Sequence, residues 1–224
     1  MPVILHHLDQ SRSQRVLWLL EELEVPYEIV MHKRGADFRA PKSLRDVHPL
    51  GKAPVIEDDG KAIAESGAIV EYLIKRYGNG KFAAQPERQL DESFWSHFAE
   101  GSLMPTLVMK LIFSLIPNRS PFIIRPLVRS ICSGVNTAMI DPDAKNKIAF
   151  VADHIRKNPG WFAGGDSDGN PTAADFQMLF PLEAASAGGR VTDLPAEITA
   201  WVEKAHARPA YKRALEKGGP YNYA

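Results

Sequence analysis

The chain has 224 residues, of which 45% are hydrophobic and 24% charged, with 27 Lys plus Arg against 27 Asp plus Glu. These proportions exclude a disordered or fibrous chain, and the length allows one large domain or two small ones. A net charge of zero leaves no basic surplus for nucleic-acid phosphates, and the single cysteine, Cys132, excludes an internal disulfide or a thiolate metal site. The histidines lack ligand spacing of the HExxH kind, so no metal is expected.

The first residues, MPVILHHLDQ, meet charge after a very short apolar stretch, so no secretory leader is expected and the protein is read as cytoplasmic. Val3-Ile4-Leu5 is a short apolar run that predicts a buried strand. From Ser13, the apolar residues Val16, Leu17, Leu19, Leu20 and Leu23 repeat with helical spacing. Pro26 stops that helix, and Tyr27-Glu28-Ile29-Val30 reads as a second strand. The polar stretch HKRGADFRAPKSLRD supplies a loop with at most a short irregular helix. Pro54-Val55-Ile56 and Lys61-Ala62-Ile63-Ala64 flank Asp58-Asp59-Gly60, a hairpin signal. Ser66 then caps a helix running to Tyr77 and ended by Gly78. The order β-α-β-α-β-β-α predicts parallel pairing through the crossovers, with the hairpin as an antiparallel edge.

From Pro86 onward strand signals nearly vanish. Helical patterns run over 90–113, 121–155, 173–187 and 196–205, separated by Pro and Gly clusters such as NPGWFAGGDSDGNP. The segment YGNGKFAAQP, 77–86, is the natural linker, which divides the chain into an α/β domain over 1–80 and an all-helical one over 87–224. The most apolar region, 103–131, is broken by Lys110, Arg119, Arg125, Arg129 and by prolines. A buried helix pair is therefore expected rather than stable membrane insertion.

Three junctions carry chemistry. His7-Leu8-Asp9-Gln10-Ser11-Arg12-Ser13 leads from a strand into a helix, where unpaired N–H groups favour an anion and a hydroxyl can donate to it. Ser11 or Ser13 could equally be the helix cap, and no histidine stands at a fixed offset to make either a hydrolase nucleophile. His48-Pro49-Leu50-Gly51-Lys52-Ala53-Pro54-Val55 places a lysine on a turn before a strand, with Pro54 a candidate cis residue. Lys52 alone could be a solvated loop lysine. In Ala64-Glu65-Ser66-Gly67-Ala68, Ser66 at a helix start can hold a carboxylate and Glu65 can accept from an ammonium, although ordinary capping needs no more. A ligand with two carboxylates, one ammonium and one thiol would satisfy all three junctions together.

Over nearly its full length the chain resembles a cytosolic glutathione S-transferase, through SRSQRVLWLLEELEVPYE, HPLGKAPVIEDDGKAIAESGAIVEYL and GNPTAADF. The last string is a capping box, Thr172 with Asp175. The wording of the first two is similar to the serine-type fungal and bacterial branch related to the yeast enzymes. The resemblance implies a thioredoxin-like N-terminal domain followed by an all-α helical bundle, glutathione as co-substrate, and detoxification by attack of its thiolate on small apolar electrophiles. Peroxidase activity is a possible addition. It also implies a homodimer and residue roles. Ser11 matches the activating hydroxyl and Val55 the backbone partner of the cysteinyl part; Lys52, with Arg39, matches the glycyl anchor, and Glu65 with Ser66 the γ-glutamyl anchor. Glu100 is matched to a partner's γ-glutamyl ammonium. Candidate electrophile walls are Leu8, Met104, Leu107, Val108 and Leu111, with Tyr221 and Tyr223 as lids, although their helical spacing favours ordinary core or dimer contact. Two other readings stay open: a glutathione-binding regulatory or scaffold protein, and a thiol oxidoreductase, which the position of Cys132 disfavours.

A thiol of pKa about 8.5 is only about 3% ionised at neutral pH, and lowering it to about 6.5 needs roughly 2.7 kcal/mol. A helix terminus supplies about 0.3–1 kcal/mol, about 2 at best. One hydrogen bond to a charged group adds about 1.5–3 kcal/mol. A helix with a hydroxyl suffices where the helix alone does not.

Overall fold

The computed structural model describes residues 2–37, 39–187 and 190–223. Its first part is a four-stranded mixed sheet in the order β2-β1-β3-β4, built from β1 (Val3–Leu8), β2 (Tyr27–His32), β3 (Val55–Asp58) and β4 (Lys61–Ala64). β1 and β2 pair in parallel from Val3 opposite Tyr27 to Leu8 opposite His32. The crossover between them is α1 (Ser13–Leu23), whose Val16, Leu17, Leu19 and Leu20 are fully buried, as the helical spacing predicts. The expectation of parallel pairing fails for the second crossover. β3 runs antiparallel to β1, because α2 (Ser43–Val47) has only five residues and a turn at 48–51 brings the chain back in the opposite sense.

The β3–β4 hairpin closes through Asp59 (φ 47°) and Gly60 (φ 75°), the pair of left-handed residues that a two-residue hairpin turn requires. Then α3 (Ser66–Tyr77) packs on the same face as α1, through Ile69, Val70 and Leu73. Ala53-Pro54 is a cis peptide. This half is a thioredoxin-like fold.

The second part is helical. α4 (Gln89–Phe98) and α5 (Met104–Arg119) are joined by a wide helical turn, as are α6 (Arg125–Val135) and α7 (Asp141–Lys157). α8 (Ala173–Ser186), α9 (Ala196–His206) and α10 (Pro209–Gly218) follow; the sequence reading missed α10. α8 is the central helix, buried on every side from Ala173 to Ala185. It starts at the capping box: Asp175 accepts the Thr172 N–H at 2.7 Å and the Thr172 hydroxyl at 3.1 Å. The same carboxylate accepts the Phe162 N–H at 2.8 Å.

The expected buried pair over 103–131 is only half right. Leu103, Met104 and Leu107 are in the core, but Phe122 and Ile123 are 83% and 87% exposed, and Met109, Ile112, Leu127 and Ile131 face outward. α5 and α6 pack chiefly on each other, so only their inner stripe is covered. The continuous helix Pro86–Arg119 is long and apolar enough to cross a membrane by length and composition alone.

Candidate functional site

The turn from β1 into α1 is held by a compact set of hydrogen bonds. The Ser11 hydroxyl donates to Leu8 O at 2.8 Å and accepts the Ser13 N–H at 3.2 Å, while Ser11 O accepts the Gln14 N–H at 3.2 Å. Neither serine is the N-cap residue, which is Arg12 with no side-chain cap bond; Ser11 instead braces the turn before α1 and opens onto a cavity. Its proton is free to turn from the Leu8 carbonyl to an incoming acceptor by rotation about one bond.

Behind it lies Ser13, wholly buried, with its Oγ 2.9 Å from Ser11 Oγ and 3.0 Å from His7 Nδ1. Burial pushes the His7 imidazole down to about 4, against the raising influence of Asp9 and of the hydrogen bond with the Gly218 backbone. His7 is therefore neutral near pH 7 and serves the Ser13 hydroxyl as an acceptor. No sequence offset marks this contact.

Two cavities meet at this turn. The first, about 750 Å³, is lined by Pro54, Glu65, Ser66, His97, Glu100 and Gln177, among others. The second, about 790 Å³, contains Leu8, Ser11 and Phe180. Arg12, Leu50, Lys52 and Ala53 line both, so the two form one groove. Ser11, Arg39, Lys52, Glu65 and Ser66 are thus brought together, with Ser11 and Arg39 at one end, Glu65 and Ser66 at the other, and Lys52 between. Val55 stands beside the groove with its side chain buried, behind Ala53 and Pro54.

Ser66 departs from expectation. It is the first residue of α3 and its side chain caps nothing; Glu65, at φ 72°, makes the turn before it. The Ser66 hydroxyl instead donates to Gln177 Oε1 at 3.3 Å, and Gln177 Nε2 donates to Ser66 O at 3.0 Å. A glutamate at positive φ is strained, and such strain is commonly retained where a backbone must meet a ligand.

The centre of this end is Arg15. Its side chain is fully buried, paired to Glu100 at 2.8 Å and donating to Gln177 Oε1 at 2.5 Å. Burial depresses the guanidinium pKa and Glu100 opposes that shift. Glu100 also accepts from Arg12 at 2.9 Å, so its carboxylate is already engaged by two arginines of its own chain. The sequence reading did not place Arg12, Arg15 or Gln177 at the site.

Of the candidate electrophile walls only Leu8 lines the groove, and the favoured reading of core contact holds for Met104 and Leu107. Met104 and Leu107 are in the core, 3% and 0% exposed, and neither they nor Val108 and Leu111 line the groove. Their spacing turns Met104 and Leu107 inward, toward α8. Tyr221 and Tyr223 line neither cavity: Tyr221 donates to Glu183 at 2.5 Å, and Tyr223 packs edge-on against Phe180, which lines the second. Cys132 is buried in α6 and lines neither cavity. Among the described residues no group of three or more His, Cys, Asp or Glu could hold a metal ion.

The family profile described as glutathione S-transferase, N-terminal domain, matches residues 5–82. Glutathione S-transferase 3 of Schizosaccharomyces pombe is 36% identical over 96% of this chain and 87% of its own length. The chain belongs to the glutathione S-transferase family of enzymes. Glutathione S-transferase 1 of Saccharomyces cerevisiae is 34% identical, covering 97% of this chain and 96% of its own. Among solved structures, a glutathione S-transferase from Actinobacillus pleuropneumoniae superposes with a TM-score of 0.74 at 27% identity, covering 96% of this chain and 92% of that one. A glutathione transferase family member from Pseudomonas fluorescens, solved with two glutathione bound, has a TM-score of 0.70 at 25% identity, with 96% and 92% covered.

Proposed function

We propose that this transferase binds glutathione along the groove and ionises its thiol at Ser11 for attack on a small electrophile. The γ-glutamyl end takes Glu65 and Ser66, the glycyl carboxylate takes Lys52 with Arg39, and the cysteinyl backbone runs beside Val55 after Pro54. The observation that carries this reading is the Ser11 hydroxyl, half committed to the Leu8 carbonyl, opening onto a groove that joins all these anchors. The solved Pseudomonas relative with glutathione bound supports the same ligand. Ser11 then donates to the sulfur, and the α1 N-terminus adds its partial charge.

The same proposal divides the chain at 1–80 and 87–224, makes it a cytoplasmic homodimer through the exposed apolar residues Leu90 and Phe94 of α4, and adds reduction of peroxides as a second activity. Conjugation of glutathione to a chloronitroaromatic acceptor tests the enzyme against a binding protein. Turnover above the uncatalysed rate is expected. Tight glutathione binding without turnover on this acceptor or on a peroxide would make the protein a scaffold.

A further inference from the structure

The cavity that holds Ser11 is strongly cationic. Beyond Arg12 and Lys52 it is lined by Lys33, Arg34, Arg39, Lys42 and Arg45, with Asp37 as its sole acid among the described residues. The chain as a whole carries no net charge, so this concentration is local. Arg12 shares the Glu100 carboxylate with Arg15, and Arg39 approaches Asp37 at 3.7 Å. Arg34 is fastened to the turn before Ser11, donating to Asp9 O at 3.2 Å and Gln10 O at 3.3 Å. Lys33, Lys42, Arg45 and Lys52 form no ion pair among the described residues.

Glutathione, bound as proposed above, brings one carboxylate to this cavity, since its other carboxylate and its ammonium lie at Glu65 and Ser66. Lys52 with Arg39 meets that carboxylate. Lys33, Lys42 and Arg45 remain, exposed side chains that line the cavity together with Leu8, Leu50 and Phe180. A cleft lined by one sign of charge between low-dielectric walls concentrates its field on a counter-ion. We infer that the second substrate is an organic anion: an electrophile carrying a carboxylate that Lys33 and Arg45 receive. This rests on the reading that the glutathione sulfur lies at Ser11. In the reaction the sulfur, its proton already lost to solvent, forms a bond to the carbon bearing a halide; the carbon–halogen bond breaks and the halide leaves with the electron pair.

The test compares a chloronitrobenzoate with the matching chloronitrobenzamide, each kcat/KM divided by its uncatalysed rate constant. The benzoate is expected to be favoured, and to lose that preference in high salt. The double variant Lys33→Gln, Arg45→Gln is expected to lower kcat/KM for the benzoate by about tenfold, the value of one charge-assisted bond. The amide and the KM for glutathione are expected to stay within about twofold, and Lys33→Arg to retain the preference. Glutamine keeps the Arg45 Cγ that packs beneath Gly51. Equal treatment of the two acceptors, or equal loss on both, overturns the inference. Equilibrium dialysis with glutathione alone separates a second source of carboxylate. One tripeptide per chain leaves the cations to the electrophile; a second, lost in the double variant, overturns that assignment. If glutathione fails to bind and neither acceptor reacts, the transferase reading fails instead.

Discussion

Arg15 shows how a buried charge couples the two halves of the chain. It arises on α1 and reaches Glu100 in the turn after α4 and Gln177 on α8. Removing one partner of such a pair leaves the other uncompensated, at a cost of about 3–5 kcal/mol. Arg15→Ala should therefore lose about that much unfolding free energy in urea, and a loss below about 1 kcal/mol would contradict the pairing. His7 makes a pH prediction. Its folded pKa of about 4 lies below the ordinary 6.5, so the unfolded chain binds more protons between those values and stability is lost as pH falls through that window. The buried Asp175, raised to about 6 by desolvation, acts in the opposite sense, while the lowered His32 and His154 add to the loss. His7→Asn keeps an acceptor for Ser13 and removes the titration. Its stability should fall less steeply from pH 6.5 to 4 than that of the wild type; an unchanged slope would show His7 already titrating normally.

At the scale of elements, α8 depends on its first turn. Thr172→Ala removes a cap worth about 1 kcal/mol. Asp175→Ala also strips the acceptor from the buried Phe162 and Thr172 N–H groups, each costing about 1–3 kcal/mol when unsatisfied. The shift in urea midpoint should be at least twofold larger for Asp175→Ala, and equal shifts would contradict the shared carboxylate. The capping box was legible because its spacing is local, as were the Asp59-Gly60 turn, the stripe of α1 and the junctions bearing Ser11, Lys52 and Ser66. The direction of β3 was not, since it depends on how far a five-residue helix carries the chain. Nor was α10, whose buried face is mostly Ala210, Tyr211 and Ala214, too small an apolar pattern to stand out. The capping expected of Ser66 does not occur: its hydroxyl serves Gln177, 111 positions away.

For the whole molecule, the contacts that sequence spacing could not reveal are those that assemble the groove. Arg15 and Gln177 lie 162 positions apart, and the cationic cavity is gathered from the β1–α1 turn, the β2–α2 loop, α2 itself and the loop before β3. Core contact, the favoured reading of Met104 and Leu107, was legible because helical spacing identifies a buried face, though not what that face is buried against. The exposed Leu90 and Phe94 of α4 belong to the proposed dimer. Sedimentation equilibrium should give twice 24.8 kDa, reduced toward the single-chain mass by Leu90→Glu, and a wild-type monomer would contradict the assembly. The account turns on the ionisation of bound glutathione at Ser11, and ultraviolet titration of the thiolate in the complex measures it directly. The wild type should ionise the thiol about two pH units below its value in water, and Ser11→Ala should restore most of that difference while binding glutathione nearly as well. An identical titration in the two proteins would contradict it.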